Sequence, residues 1–226
     1  MEATWRAAAA ELVASGTFVF LAAGSVIVAG PSGAGLVGVA LASGFAFAVA
    51  VALARPTSGG HVNPVVTIAL WVEGRISSLR AASFVLAQLS GAVIGSLLLR
   101  AGVPEPMWQA AHLGTPLPAA DLGAGPAVLL EAVLGFGLAL AFLAVPGVGG
   151  SIPDLGPLLV GLVLAADVLA AGPLTGAGVS PARALGPGLV SGTWHGWWVY
   201  WVGPPAGGVL AALVHRSIFP GRSLDR

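Results

Sequence analysis

Two stretches decide the fold: Ser58-Gly59-Gly60-His61-Val62-Asn63-Pro64 and Thr175-Gly176-Ala177-Gly178-Val179-Ser180-Pro181. Each runs through glycines into a polar residue followed by proline. Asparagine and serine are strong helix N-caps, and proline at the first helical position gives up an N–H that has no partner there anyway. Each stretch therefore starts a helix. The apolar runs that follow, from Asn63 to about Val72 and from Ser180 to about Val190, are short. A helix of about ten residues reaches ~15 Å, half of a ~30 Å hydrocarbon core. Irregular backbone at membrane depth is tolerated only where protein buries it or where it lines a watery cavity.

The composition places these segments in a membrane. The 226 residues are 57% hydrophobic and only 8% charged, with a mean hydropathy of +0.94. A soluble domain carries roughly 25% charged residues to cover its surface. A soluble enzyme and a disordered chain are excluded. So is a nucleic-acid binder, since the net charge is zero and no basic tract occurs. The chain has no cysteine, so it has no disulfide, thiol chemistry or thiolate metal site. No cofactor and no metal are expected.

Working outward, no Asp, Glu, Lys or Arg occurs from Leu12 to Ala54, enough for two spans broken near Gly30-Pro31-Ser32-Gly33. A third span runs from Ala81 to Leu99. A fourth follows Glu131 and ends near Pro146-Gly147, and a fifth starts after Pro153-Asp154 and reaches Gly172-Pro173. A sixth lies between Trp197 and Val214. With a cytoplasmic N-terminus, Arg6, Arg55, Arg75, Arg80, Arg216, Arg222 and Arg226 face the cytoplasm, and Arg100 and Arg183 the other side. That bias is the positive-inside pattern. The first apolar run is too long for a cleaved signal peptide and is retained as a span.

The two halves repeat. The quoted stretches stand 117 positions apart, Glu11 and Glu131 each open an apolar span 120 apart, and Gly91 and Gly207 match at 116. The expected organisation is one channel domain over 1–226, with repeat one at 8–101, an external connecting loop at 102–123 and repeat two at 124–217. Three spans per half is an odd number, so the repeats are inverted. The short helices then enter from opposite faces and their N-termini meet near the midplane. Each end carries about half a positive charge. A cation is repelled there, while a neutral dipole can turn its oxygen to the donors.

The residues that carry a resemblance are Ala10-Glu11-Leu12 with Gly16-Thr17-Phe18, Ser58 through Thr67, and Ala87-Gln88-Leu89-Ser90-Gly91. To these add Gly172 through Arg183 with Gly186-Pro187, and Trp198 through Pro204. Over nearly its whole length the sequence resembles the aquaporin, or major intrinsic protein, family. The resemblance implies an all-α integral membrane fold of six transmembrane helices plus two re-entrant half-helices. It also implies a passive channel in the lipid bilayer for water and small neutral solutes, a homotetramer, and a cell-membrane location with both termini cytoplasmic. The family's two Asn-Pro-Ala boxes are altered here to Asn63-Pro64-Val65 and Ser180-Pro181-Ala182. Ser180 can cap, but its hydroxyl reaches less far than an amide. Val65 adds two methyls where the half-helices touch.

By the same resemblance Arg183 belongs to a selectivity filter near the outer mouth, with Ser43, Val168 and Ala177 as the other positions. Water-selective members resemble one another in carrying an aromatic and a histidine at the first two. A filter of Ser, Val, Ala and Arg is wide and half apolar, while Ala184 and Tyr200-Trp201 look like the water-channel branch. Glu11 and Glu131 need partners inside a membrane, and the expected ones are backbone N–H groups of the re-entrant loops. His61 is a candidate for the pore lining, Gln88 for bonding backbone, and Asp167 for bonding the loop around 176–178. Trp194, Trp197, Trp198, Tyr200 and Trp201 read as an interfacial belt. The alternatives to a channel are a proton-coupled transporter using the intramembrane carboxylates and a non-conducting scaffold of the same fold.

Overall fold

The computed structural model describes residues 2–144 and 155–218, which form helices and turns without a strand among them. In chain order these are α1 (Glu2–Ser32), α2 (Gly35–Ser58), α3 (Pro64–Val72), α4 (Ser78–Gly102), α5 (Glu105–Ala110), a 3-10 turn (His112–Gly114), α6 (Ala124–Ala144), α7 (Gly156–Thr175), α8 (Pro181–Ser191) and α9 (Val199–Ile218). Among the described residues, α1, α2, α4, α6 and α7 are long and apolar enough to cross a membrane. α9 matches α7 at 20 residues, but Tyr200, Trp201, its two prolines, His215 and Arg216 dilute its hydropathy. It packs on α6 as α1 packs on α4, and so takes the place of the sixth span. α3 and α8 are the two short helices, within a residue of their expected limits.

Several expectations need correction. Neither Glu11 nor Glu131 opens its helix: α1 begins at Glu2 and α6 at Ala124, so each carboxylate lies about two turns inside. Alanine and aliphatic residues before each one continue the helix, and the buried acid is satisfied by other means, described below. The expected span limits at Pro146-Gly147 and Pro153-Asp154 lie outside the described residues, as do Arg222 and Arg226. The Pro-rich stretch from Gly102 to Asp121 is not bare loop. It holds α5 and the 3-10 turn, and buries Trp108 and Leu113 against Ala23, Ile27, Leu99 and Val190. A six-residue helix is too short to show a period, which is why the sequence pattern hides it.

In hydrocarbon there is no hydrophobic drive between helices, so close packing of small residues holds them together. A Cβ at Gly44 would stand 2.6 Å from the Gly161 carbonyl oxygen, which brings α2 and α7 backbone to backbone. Gly91 meets Leu12 of α1, and Gly207 meets Ala132 of α6, with no room for a side chain at either. A hollow of 390 Å³ is an apolar groove on the exposed face between α1 and α4, lined by Gly16, Gly91 and Gly95 among others, with no residue of either short helix.

The Val65 side chain also meets Gly208 of α9, where a Cβ would lie 2.7 Å from Val65 Cγ1 and 3.0 Å from its carbonyl oxygen. Gly208→Ala should therefore destabilise the protein by about 1–3 kcal/mol through overpacking. Adding Val65→Ala should recover a large part of that loss. Thermal unfolding in detergent checks both; equal melting of the single and double variants would place Val65 elsewhere.

Candidate functional site

The two re-entrant loops are built alike. α2 ends at Gly59, whose left-handed φ of 102° lets its N–H reach Arg55 O, and α7 ends at Gly176 with φ 73°. Val62 at φ 58° and Val179 at φ 51° then hold a backbone conformation that β-branched residues avoid. Such strain costs of order 1–3 kcal/mol per residue and persists only where the surroundings enforce it.

The buried carboxylates enforce it. Glu11 is fully buried. Its Oε1 accepts from Ser58 Oγ at 2.5 Å and His61 N–H at 2.9 Å, and its Oε2 from Val62 N–H at 2.6 Å and Gln88 Nε2 at 2.7 Å. Glu131 is equally buried and accepts from Thr175 Oγ1 at 2.6 Å, Gly178 N–H at 2.9 Å and Val179 N–H at 2.7 Å. Each strained valine N–H thus ends on a carboxylate oxygen in a short charge-assisted bond. Gln88 bonds Glu11 and the Thr67 hydroxyl rather than backbone, so it serves the first loop. The position 116 further on is Pro204, and Glu131 has one donor fewer. Asp167 does not bond the loop as expected. Glu131 fills that role, and the buried Oδ2 of Asp167 meets no hydrogen-bond partner among the described residues.

Asn63 caps α3, its Oδ1 accepting from Val65 N–H at 2.9 Å, with Pro64 next. Its Nδ2 donates across to Val179 O on the other loop at 3.0 Å. That bond brings the N-terminal ends of α3 and α8 together in the interior. Ser180 caps α8 by accepting from Arg183 N–H at 3.3 Å, followed by Pro181. It makes no return bond to the first loop among the described residues. The central joint is one-sided, because a hydroxyl on the shorter serine cannot span what the amide spans.

Two cavities flank this joint along the α2–α7 seam. One of 250 Å³ is lined by Leu36, Val39, Thr115, Pro116, Val168 and Arg183, among others. The other, 180 Å³, is lined by Val51, Arg55, Gly59, Arg75, Phe142 and Val160, among others. Val39 and Val51 stand about 18 Å apart along α2, so the hollows open toward opposite ends. Val168 and Arg183 thus share a cavity. Ser43 and Ala177 are buried beside it, Ser43 one turn from Val39 and Ala177 next to lining residue Gly176, but neither lines it. Arg183 is 6% exposed and its Nη1 finds no hydrogen-bond partner among the described residues. Buried donors in folded proteins are nearly always paired, so this one stands out.

Thr115 and Pro116, from the connecting segment, were not legible as site residues. A hydrogen bond from Ala119 N–H to Leu174 O at 2.8 Å pins that segment over the loop. Tyr200 is also misplaced by the belt reading: it is fully buried and donates to Thr175 O at 2.6 Å, while the four tryptophans beside it are exposed. His61 packs edge-on against Phe84 at 4.9 Å and sits 3.1 Å from the Thr67 hydroxyl. It lies behind Gly59 and Phe142, not among the cavity's lining residues.

The sequence profile of the major intrinsic proteins matches residues 1–215. The chain belongs to that family. Among its relatives, it is 45% identical to "Aquaporin TIP4-4" of Zea mays, over 95% of this chain and 86% of that protein. It is 46% identical to "Aquaporin TIP3-2" of the same plant, over 95% and 83%. With "Aquaporin TIP2-1" of Arabidopsis thaliana it shares 38%, over 98% and 90%. Its fold is similar to the X-ray structure of the aquaglyceroporin from Plasmodium falciparum, with a TM-score of 0.84 at 21% identity, covering 96% of this chain and 97% of that one. As a member of the major intrinsic protein family, the chain is a multi-pass membrane protein and a passive channel for water and small uncharged solutes, and not an enzyme.

Proposed function

We propose that water and small uncharged solutes, such as glycerol, urea or undissociated metalloid acids, pass between the two cavities through the joint of α3 and α8. The observation that carries this reading is the Asn63–Val179 bond, which holds two helix N-termini together between the hollows. Asn63, Pro64, Ser180 and Pro181 form the pore centre, where the paired positive ends exclude cations. Ser43, Val168, Ala177 and Arg183 form the filter, with Thr115 at its rim. Glu11 and Glu131 support the loops, and His61 backs the inner wall. The repeats at 8–101 and 124–217 and the connecting loop at 102–123 make up one channel domain. The homotetramer, the cell membrane and cytoplasmic termini complete the proposal. The arginine bias supports the orientation.

A transporter that relays protons through Glu11 and Glu131 is disfavoured by the bonding of both acids, whose oxygens are taken up by loop donors. Stopped-flow light scattering on proteoliposomes tests the channel. Shrinkage and reswelling should exceed those of empty vesicles for water and for at least one of glycerol and urea, following only the solute's own gradient. Rates equal to those of empty vesicles for all of them, or a response to an imposed pH gradient, would overturn it.

A further inference from the structure

α1 and α4 meet through glycine. A Cβ at Gly16 would stand 2.9 Å from Gly91 O, and a Cβ at Gly95 would collide with the Gly16 carbonyl. The two backbones touch there, and the larger residues on either side stand clear of the contact: Val13, Phe20 and Leu21 on α1, Ile94 and Leu98 on α4, all exposed. Between these walls lies the 390 Å³ groove. Thr17 brings the one hydroxyl in its lining, and that hydroxyl donates to Val13 O of its own helix at 2.9 Å. Nothing in the groove is left to hold water, and an apolar hollow of this kind stays dry. In a bilayer it is filled by hydrocarbon.

From Leu12 to Leu21 the groove follows α1 for ~14 Å, the depth of one leaflet in a ~30 Å core. These residues are the first half of the uncharged stretch of α1, Leu12 to Ser32, so the groove lies in the leaflet on the side of the N-terminus. The same helix face continues beyond it in steps of four and three residues, from Val13 to Ala9 to Arg6. Arg6 is exposed, about 9 Å past Leu12 along the axis and thus at headgroup depth. The exposed Trp5 beside it is a residue type of that layer. The Arg6 guanidinium lies 5.7 Å from the Trp5 ring centroid and meets no hydrogen-bond or ion-pair partner among the described residues. Arg80, at the same end of α4, is instead turned inward onto Ser58 O.

We propose that the groove between α1 and α4 binds one acyl chain of an anionic phospholipid, whose phosphate group meets Arg6. The ligand is a component of the bilayer itself, so the inference needs the chain to sit in a membrane and does not depend on which solute passes through it. Leu12 lines the groove, while its neighbour Glu11 holds the first re-entrant loop from the other side of α1. A seated chain therefore backs the helix that carries this carboxylate.

The delipidated protein in detergent is titrated with palmitoyl-oleoyl phosphatidylglycerol and with the phosphatidylcholine of the same chains. Native mass spectrometry reads the affinity of the first lipid per protomer. Phosphatidylglycerol should bind more tightly, and Arg6→Gln should weaken it about fivefold, the effect of one basic residue near an anionic surface, with phosphatidylcholine much less affected. Ile94→Trp fills the groove from its exposed wall and should abolish the tight first site for both lipids, while water flux in vesicles shows that the variant is folded. Equal affinities that Arg6→Gln does not alter, or a first lipid retained by Ile94→Trp, overturn the proposal. A subunit count changed by Ile94→Trp also overturns it, since the groove then seats a second copy. Phosphatidylglycerol with a diazirine on its acyl chain reads the unaltered protein in phosphatidylcholine vesicles. Light should label residues 12–21 and 91–98 above the exposed Leu129 and Val133 of α6, and excess plain phosphatidylglycerol should suppress that labelling. Even labelling of both faces contradicts a site.

Discussion

Glu131→Ala should leave the protein poorly folded and unable to conduct. The substitution removes the acceptor for the Thr175 hydroxyl and for the N–H groups of Gly178 and Val179 at once. The site is fully buried, so the freed donors are cut off from bulk water. Each unsatisfied group inside a membrane costs several kcal/mol, and Val179 loses the bond that holds its left-handed backbone. A loss of about 3–5 kcal/mol or more follows, the range seen when one side of a buried charged interaction is removed. Glu131→Gln keeps one acceptor oxygen but turns an amide N–H₂ toward a backbone donor, so it should fall between. Thermal unfolding in detergent and water flux per inserted molecule check both. A transporter reading predicts the opposite for Glu131→Gln, with stability intact and only a pH-coupled flux lost.

The second large effect concerns size. Ser43→Phe combined with Val168→His should narrow the outer mouth between α2 and α7, opposite Arg183. Glycerol and urea permeability should fall about tenfold or more, since steric rejection in a tight pocket discriminates by that order for a single extra group. Water should still pass at a comparable rate. Solute-by-solute reswelling checks this. An unchanged profile would show that Ser43, which is buried one turn below the cavity lining, does not belong to the filter.

Most of the architecture was written in local signals. Polar-Pro caps after glycines mark both half-helices because N-capping and proline geometry act within three residues. The buried acids stood out because a carboxylate in an apolar run demands a partner. What stayed hidden depends on distant contacts. Gln88 reaches Glu11 and Thr67 across 77 and 21 positions, Val65 meets Gly208, and Tyr200 turns inward to Thr175. None of these pairs has a sequence period. The 3-10 turn at His112–Gly114 and the cavity residues Thr115 and Pro116 were masked by proline and glycine. Those residues break a pattern whether the segment is bare loop or a packed cover. Glu73, in contact with Arg75 and with His215, joins the end of α3 to α9, and only the folded bundle brings Glu73 and His215 together.

The central claim is that two positive helix ends, joined by one Asn63 amide, let neutral dipoles through and stop protons. It is tested most directly by recording water and proton flux together in proteoliposomes carrying a trapped pH-sensitive dye. Osmotic water flux well above that of empty vesicles, with proton flux indistinguishable from theirs, is the predicted result. Proton flux that rises in step with the water, or no added water flux at all, would contradict it.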